Sequence, residues 1–411
     1  MKHLITVIAF AATAMLLPSC AKKDGRRSSQ ESRTISEILA DSPVAAQRVV
    51  VGEDTVVVAR LTEAPEPVTL LASEMFDEFD LIKLEDTEEA LTGGGSTWVS
   101  KNHILIYDGN NVKLYDRKGK FIANVGARGQ GPGEYSIAPY FLTIDETQGK
   151  IYMMTYSASQ INTYNVADGT FAGSIPLAYE SPKGFCKIDS ENGLITVASM
   201  QFKDVAPCTP VWVQDFDGKL ISEVKRPDLG LTPDFSNEIN PGMSPDGKEL
   251  YHSQCLITEL IADTLYRSDG KTIHPEFTYD FGEKVPMHSL RAFPEFYIMK
   301  IFGDPVMVSE NSYVVGSNMP FVIDRSSLKG APAELMIDQL GTLTLKKDWD
   351  YMRTPGYFTM SCDPGDLLDM INAAPDTHPL ANEDGLKRME ELRNSIAPEG
   401  NHYVLIGHWK Q

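Results

Sequence analysis

A hairpin recurs along this chain. Residues 112–125 read VKLYDRKGKFIANV and residues 161–175 read INTYNVADGTFAGSI, each with a glycine in the turn. VWVQDFDGKLISEV at 211–224 and DTLYRSDGKTI at 263–273 follow. The four turn glycines, Gly119, Gly169, Gly218 and Gly270, lie 50, 49 and 52 residues apart. Glycine suits these positions because a tight hairpin turn demands positive φ, which a residue with a Cβ resists. A constant period of this length means one supersecondary unit copied along the chain, each copy needing its neighbours to bury its faces.

Two further strand-like runs precede each hairpin. In the second unit PYFLTID (139–145) and KIYMMTY (150–156) come before the hairpin; in the third, PKGFCKID (182–189) and GLITVASM (193–200) do. The fourth opens with INPGMSPDG (239–247) and KELYHSQ. β-Branched and aromatic residues alternate with polar ones, the pattern of short strands in a packed sheet. Four strands per period predict an all-β β-propeller.

A first blade is expected over about 94–125 and a fifth over 304–340. GYFTMSC (356–362) and HYVLIGHWK (402–410) are too few for a sixth. Strands near the amino terminus, around 49–59 and 80–84, supply the remainder, because closure by both chain ends leaves no long unpaired edge. The expectation is therefore a six-bladed β-propeller of four-stranded blades over residues 48–411. Small helical insertions are expected at 283–302, where Pro294 interrupts Leu290, Phe293, Phe296 and Ile301, and at about 364–397. In the second insertion, Leu386, Met389, Leu392 and Ile396 share one helical side. Its helices are expected to pack on the side of the propeller rather than over the axial opening.

The amino terminus predicts a compartment. Lys2 precedes an uncharged apolar run from Leu4 to Leu17, and Leu17-Pro18-Ser19-Cys20 places small residues before a cysteine. The run is short for a membrane span, so residues 1–19 read as a signal peptide and Cys20 as the lipidated residue. Residues 20–47, rich in charge and serine at their start, read as a flexible tether. Cys186, Cys208, Cys255 and Cys362 remain; their spacing chooses no pairing and lacks Cys-x-x-Cys, and buried free thiols and a disulfide both stand open.

The segment DLIKLED, followed by HILIYDGNNVKLYDRKGKFIANVGARGQGPGEY, resembles the opening blade of six-bladed β-propeller lipoproteins of Bacteroidetes-type bacteria, related distantly to NHL and TolB-like propellers. The likeness extends to the late helical insertion and the terminal PEGNHYVLIGHWK strand. It implies the propeller fold and a place in the cell envelope as an outer-membrane lipoprotein. Relatives of this kind mostly carry no assigned activity. Cys20 is followed by Ala-Lys-Lys-Asp rather than an acidic run, which leaves the periplasmic and surface faces both open.

A formal charge of −20 excludes a nucleic-acid partner, since phosphates demand clustered Lys and Arg. The loop GARGQGPGEY offers Arg128, Gln130, Glu134 and Tyr135 as ligand-binding candidates through exposed amides and one cation. It lacks Gly-Lys-Ser/Thr and equally suits a tight connection between blades. Asp145 and Asp189 end equivalent first strands and could meet near the axis. Trp98, Tyr140, Tyr156 and Trp212 lie near strand ends, where rings either stack on a sugar or pack between blades.

Ser244 lacks the surroundings of a nucleophile elbow. Asp215-Phe216-Asp217-Gly218 lacks the later ligands of a calcium loop, and the histidines show no metal spacing. No catalytic residue, cofactor or metal is therefore implied. The chain reads as a monomeric, lipid-anchored binding or scaffold module for a glycan or protein ligand, touching the membrane through its lipid alone. Two alternatives stand beside this: a carbohydrate-active lyase or hydrolase with acids at the axial mouth, and a structural subunit of an outer-membrane assembly.

Overall fold

The computed structural model describes residues 32–60, 65–203, 208–244, 246–257, 260–309, 312–350 and 352–410. Cys20, the expected signal peptide and the start of the tether lie outside them. Blade 1 is the antiparallel sheet Ser96–Val99, His103–Tyr107, Val112–Asp116 and Phe121–Asn124. Blade 2 comprises Pro139–Asp145, Lys150–Thr155, Ala158–Asn165 and Phe171–Ser181. Blade 3 comprises Gly184–Asp189, Leu194–Ser199, Val211–Asp215 and Leu220–Val224. Glu238–Met243, Leu250–Cys255, Thr264–Ser268 and Ile273–Tyr279 make blade 4. These four copies stand where the repeat places them.

Alternate residues of one strand feed different cores, as radial stacking requires. In Lys150–Thr155, Ile151 and Met153 join Leu105 and Leu114 of blade 1, while Tyr152 and Met154 join Ile195 and Val197 of blade 3. Both faces of a blade are thus buried, so its middle strands carry runs of consecutive buried residues, such as Ile151 to Met154 and Leu250 to Ser253, rather than alternating with solvent-facing ones. The first strand of each blade lies innermost: that of blade 2 neighbours those of blades 1 and 3, and that of blade 4 neighbours that of blade 5.

Each turn glycine has φ between 68° and 86°. Each also rests on the preceding sheet. A Cβ on Gly169 would stand 2.2 Å from the carbonyl oxygen of Asn124, and one on Gly218 would stand 2.7 Å from that of Pro176. The glycine is therefore demanded twice, by the turn and by blade stacking.

Three expectations are corrected. Residues 283–302 are not helical: His288–Ala292 and Phe296–Ser309 are the first two strands of blade 5, completed by Phe321–Asp324 and Gly330–Met336. Pro294 sits in the turn between the first two, which is why it interrupts an apolar run without breaking a helix. Blade 5 consequently begins earlier than residue 304. Secondly, Asp54–Ala59 does not close the ring. It pairs in parallel with Ile273–Tyr279 and extends blade 4, with Ala46–Val51 outside it. Val68–Leu71 likewise joins the outer strand of blade 5.

The blade count is the third correction. There are five blades of four or more strands, not six, and closure is made by a three-stranded sheet of Phe76–Lys83, Tyr403–Trp409 and Tyr357–Cys362. Strands from both ends of the chain do meet there. What the sheet lacks is an inner strand running with the others. Val99, at the end of the first strand of blade 1, donates its N–H to Thr354 Oγ1 at 3.0 Å, whereas Gly95 to Thr97, at its beginning, share a cleft with Thr359 and Ser361. Tyr357–Cys362 therefore runs opposite to its neighbour. The described residues 346–350 and 352–356 occupy the place of the missing strand.

Residues expected to be tether are partly docked. Thr34 caps the short helix Ile35–Ile38, Ile35 and Leu39 are buried, and Ala45 donates its N–H to Leu328 O at 2.8 Å. The late insertion forms the helices Pro364–Ala373 and Glu383–Ser395. Leu367, Ile371 and Met389 pack with Leu335, Leu340 and Phe358, on the side of the propeller between blade 5 and the closing sheet. Among the described residues Cys186, Cys255 and Cys362 are buried free thiols, and Cys208 is half-buried and free. No described helix is long and apolar enough to cross a membrane.

Candidate functional site

A cavity of about 210 Å³ lies where the inner strands meet. Blade 1 contributes Trp98, blade 2 Tyr140 and Phe141 with Tyr156, blade 3 Phe185, blade 4 Glu238 to Pro241, and blade 5 Arg291. The segment standing in for the missing strand adds Met352 and Arg353. Side chains that are remote in sequence meet here because every blade points its first strand at one axis.

One wall is a charge pair wrapped in aromatic rings. Lys183, 1% exposed, donates to Glu238 Oε1 at 2.6 Å and to Asn237 O at 2.7 Å. Tyr140 donates its hydroxyl to Glu238 Oε2 at 2.7 Å, and Tyr140 and Tyr156 meet edge to face at 4.9 Å. The Lys183 ammonium stands 5.7 Å and 5.3 Å from these two ring centroids. Burial and the Glu238 charge together push the Tyr140 hydroxyl well above the ordinary phenol range. Tyr140 is thus held as a neutral donor.

The opposite wall is a network of charges. Arg291 donates to Asn240 Oδ1 at 2.9 Å and faces Asp350 at 3.7 Å. Lys300 shares Asp350 at 3.1 Å and also pairs with Asp348. Arg353 lies 5.1 Å from the centroid of the Trp98 ring. Two guanidinium groups and one carboxylate therefore border the cavity, and the carboxylate already holds a lysine.

Of the aromatics singled out from sequence, Trp98, Tyr140 and Tyr156 reach this cavity. Trp212 does not; it is fully buried and donates to Gln214 at 2.9 Å. Asp145 and Asp189 do come together, lining one cleft between blades 2 and 3 with Glu146 and Glu191. Each also caps its own turn: Asp145 accepts from Thr147 N at 2.9 Å and Asp189 from Asn192 N at 3.1 Å. Burial raises the Asp145 pKa, but hydrogen bonds from Ser190 and Thr147 outweigh it and leave it low; bonds from Asn192 lower that of Asp189.

The glycine loop lies between blades 1 and 2, away from the axis. Glu134 accepts from Gly131 N at 2.7 Å, Arg128 donates to Gly109 O at 3.1 Å, and the Tyr135 hydroxyl accepts from Val112 N at 2.9 Å. Gln130 is exposed. None of these four borders the axial cavity. Ser244 serves its own turn, donating to Asp246 at 2.7 Å. The Asp215 carboxylate accepts from Asp217 N and Lys219 N within its hairpin, and no group of three metal-ligating side chains occurs among the described residues.

Sequence reasoning missed Lys183, Glu238, Asn240, Arg291 and Arg353. Arg291 could have been found, since a strand at 288–292 puts it on an inner strand. Arg353 had no such signal, because no regular element carries it.

No curated protein matches the chain. Among solved structures, a "putative exported protein" from Bacteroides fragilis aligns with a TM-score of 0.51 and 17% identity, covering 81% of this chain and 95% of that one. A member of the DUF4221 family from Bacteroides vulgatus aligns with a TM-score of 0.40 and 9% identity, covering 82% and 97%. At such identities the first likeness speaks for the fold alone. A family model, a domain of unknown function named DUF4934, matches residues 55–408, nearly the whole propeller, and the chain belongs to that family.

Proposed function

We propose that this protein is an exported, lipid-anchored binding module that takes a ligand from the cell envelope or its surroundings into the axial cavity. The observation that carries this is the cavity itself, to which all five blades and the 352–353 segment each bring a side chain. A concave site combining aromatic walls with a few fixed polar groups is the usual form of a small-ligand site. The Leu17-Pro18-Ser19-Cys20 sequence supports the anchor on Cys20.

A glycosidase requires two carboxylates flanking the scissile bond. Among the described residues Glu238 alone brings a carboxylate to this cavity, and Lys183 and Tyr140 hold it. The geometry therefore favours binding over hydrolysis.

A plugging experiment tests the reading. Tyr156→Cys, at the half-buried rim, is made in a Cys208→Ser background and capped with a bulky maleimide. The wild type is expected to bind at least one member of a panel of envelope glycans and peptides, the unlabelled variant, which loses a wall ring, to bind it more weakly, and the capped form to lose it altogether at the melting temperature of the unlabelled variant. Binding that survives the cap, or an absence of any binding by the wild type, rejects the proposal.

A further inference from the structure

We infer that the axial cavity takes an uncharged sugar ring, part of a neutral glycan, in preference to an acidic or amino form of the same ring. This rests on the binding reading above and names its ligand class.

Charge comes first. Every charged side chain that borders the cavity is already engaged within the protein. Glu238 accepts from Lys183 at 2.6 Å and from Tyr140 at 2.7 Å. Asp350 stands 3.7 Å from the Arg291 guanidinium and 3.1 Å from Lys300, and Asn240 accepts from Arg291 at 2.9 Å. Arg353 lies over the Trp98 ring, and both arginines make further contacts within the protein. A ligand carboxylate would have to compete for groups already held, and would share the cavity with Glu238. A ligand ammonium would meet the arginines in the same way. Drawing one member out of such a pair leaves the other buried and uncompensated, which is strongly unfavourable. A ligand without charge disturbs none of them.

Hydrogen bonding and ring surface then choose a sugar among neutral ligands. A carboxylate has about four acceptor positions, of which Lys183 and Tyr140 use two, so Glu238 can still take hydroxyl donors. Its side chain is 44% exposed, which sets it at the mouth. Asn240 and Arg291 border the cavity on the other side. A hydroxyl both donates and accepts, so a ring of hydroxyls can join the two walls without adding a charge. Trp98, Tyr140, Phe141, Tyr156 and Phe185 supply apolar surface for the C–H faces of the same molecule. An apolar side chain of a peptide would pack on these rings but would strip water from Glu238, Asn240 and Arg291 without replacing its hydrogen bonds, which is costly.

The test uses the full chain at about pH 6, where a sugar acid is ionised and a sugar amine protonated. Salt at about 0.15 M screens the net charge of −20. Calorimetry follows titration with the methyl glycosides of glucose, galactose and mannose, and with the forms of each that carry a carboxylate or an amine at the terminal carbon. At least one neutral glycoside is expected to bind, with its acid and its amine each weaker by about tenfold or more. An acidic protein by itself would rank the amine first and the acid last, so a loss for both identifies the paired walls rather than the overall charge. Tyr156→Phe keeps the rim ring and Tyr156→Ala removes it; the alanine variant should bind the neutral glycoside about threefold to tenfold more weakly than the phenylalanine variant. The comparison of charges in the wild type decides the matter if either variant does not fold. An acid or amine that binds as tightly as its neutral sugar, or equal affinity in the two folded Tyr156 variants, overturns the inference. If a peptide binds and is blocked by the Tyr156 cap while no sugar binds, the ligand class is wrong and the binding module stands. If nothing binds, both fall.

Discussion

Gly169 carries both the turn and the blade contact, and the two demands can be separated by substitution. Gly149 has a similar φ, 60° against 68°, but nothing lies within 4 Å of a Cβ built there. Gly149→Ala should therefore cost about 1 kcal/mol, the strain of a left-handed residue alone. Gly169→Ala adds the clash with Asn124 and should cost about 2 to 4 kcal/mol. Urea unfolding of both variants measures the difference; equal losses would mean that the neighbouring blade yields freely. A buried histidine and a half-buried aspartate set a pH dependence of opposite sign. Burial holds the His252 imidazole down at about 4 and pushes the Asp263 carboxyl up to about 7. Unfolded histidine binds its proton near 6.5, so His252 lowers stability as pH falls from 6.5 to 4, on the order of 3 kcal/mol. Asp263 acts the other way: the native state keeps a proton that the unfolded chain releases near 4, so stability is lost as pH rises from 4 to 7. Asp263→Asn keeps an acceptor for Gln254 N and removes the second effect. Relative to wild type it should gain about 2 to 4 kcal/mol between pH 4.5 and pH 8 in denaturant melts; a pH-independent difference would contradict the assignment.

Among the elements, the closing sheet bears the most on the fold. Its central strand Tyr403–Trp409 buries Val404 and Ile406 against blade 1 and Leu405 and Trp409 against blade 5. The Trp409 ring meets Phe76 and Phe293, each at 4.6 Å. Burying four such side chains stabilises by roughly 6 to 12 kcal/mol, comparable with the whole stability of a domain. Ending the chain at residue 401 should therefore abolish the cooperative thermal transition and expose the chain to rapid proteolysis. A truncated protein that melts like wild type would show that the ring does not depend on closure. The first four blades were legible because each strand–turn–strand pattern is local. Blade 5 was not: Leu290, Phe293 and Phe296 have helical spacing on paper, and only pairing with Phe321–Asp324 makes strands of that stretch. Pairing likewise decided that Asp54–Ala59 lies beside Ile273–Tyr279. Parallel partners so distant leave no mark in either segment.

At the scale of the molecule, a ring of sheets turns separate positions into one site. Lys183, Arg291 and Arg353 belong to three different parts of the chain, and each alone reads as an ordinary charged residue. The aromatic residues gave more away. Trp98, Tyr140 and Tyr156 were visible as rings near strand ends, three of the four so marked, since the strand pattern already placed them there. The period of about fifty residues and the glycine at every hairpin are written in the sequence because turn sterics and strand alternation act over a few residues. The count of five blades, the reversed strand at the closure and the axial cavity with its paired charges belong to the tertiary structure. They depend on which distant edges meet and which charges face one another across the axis, and no local rule contains either.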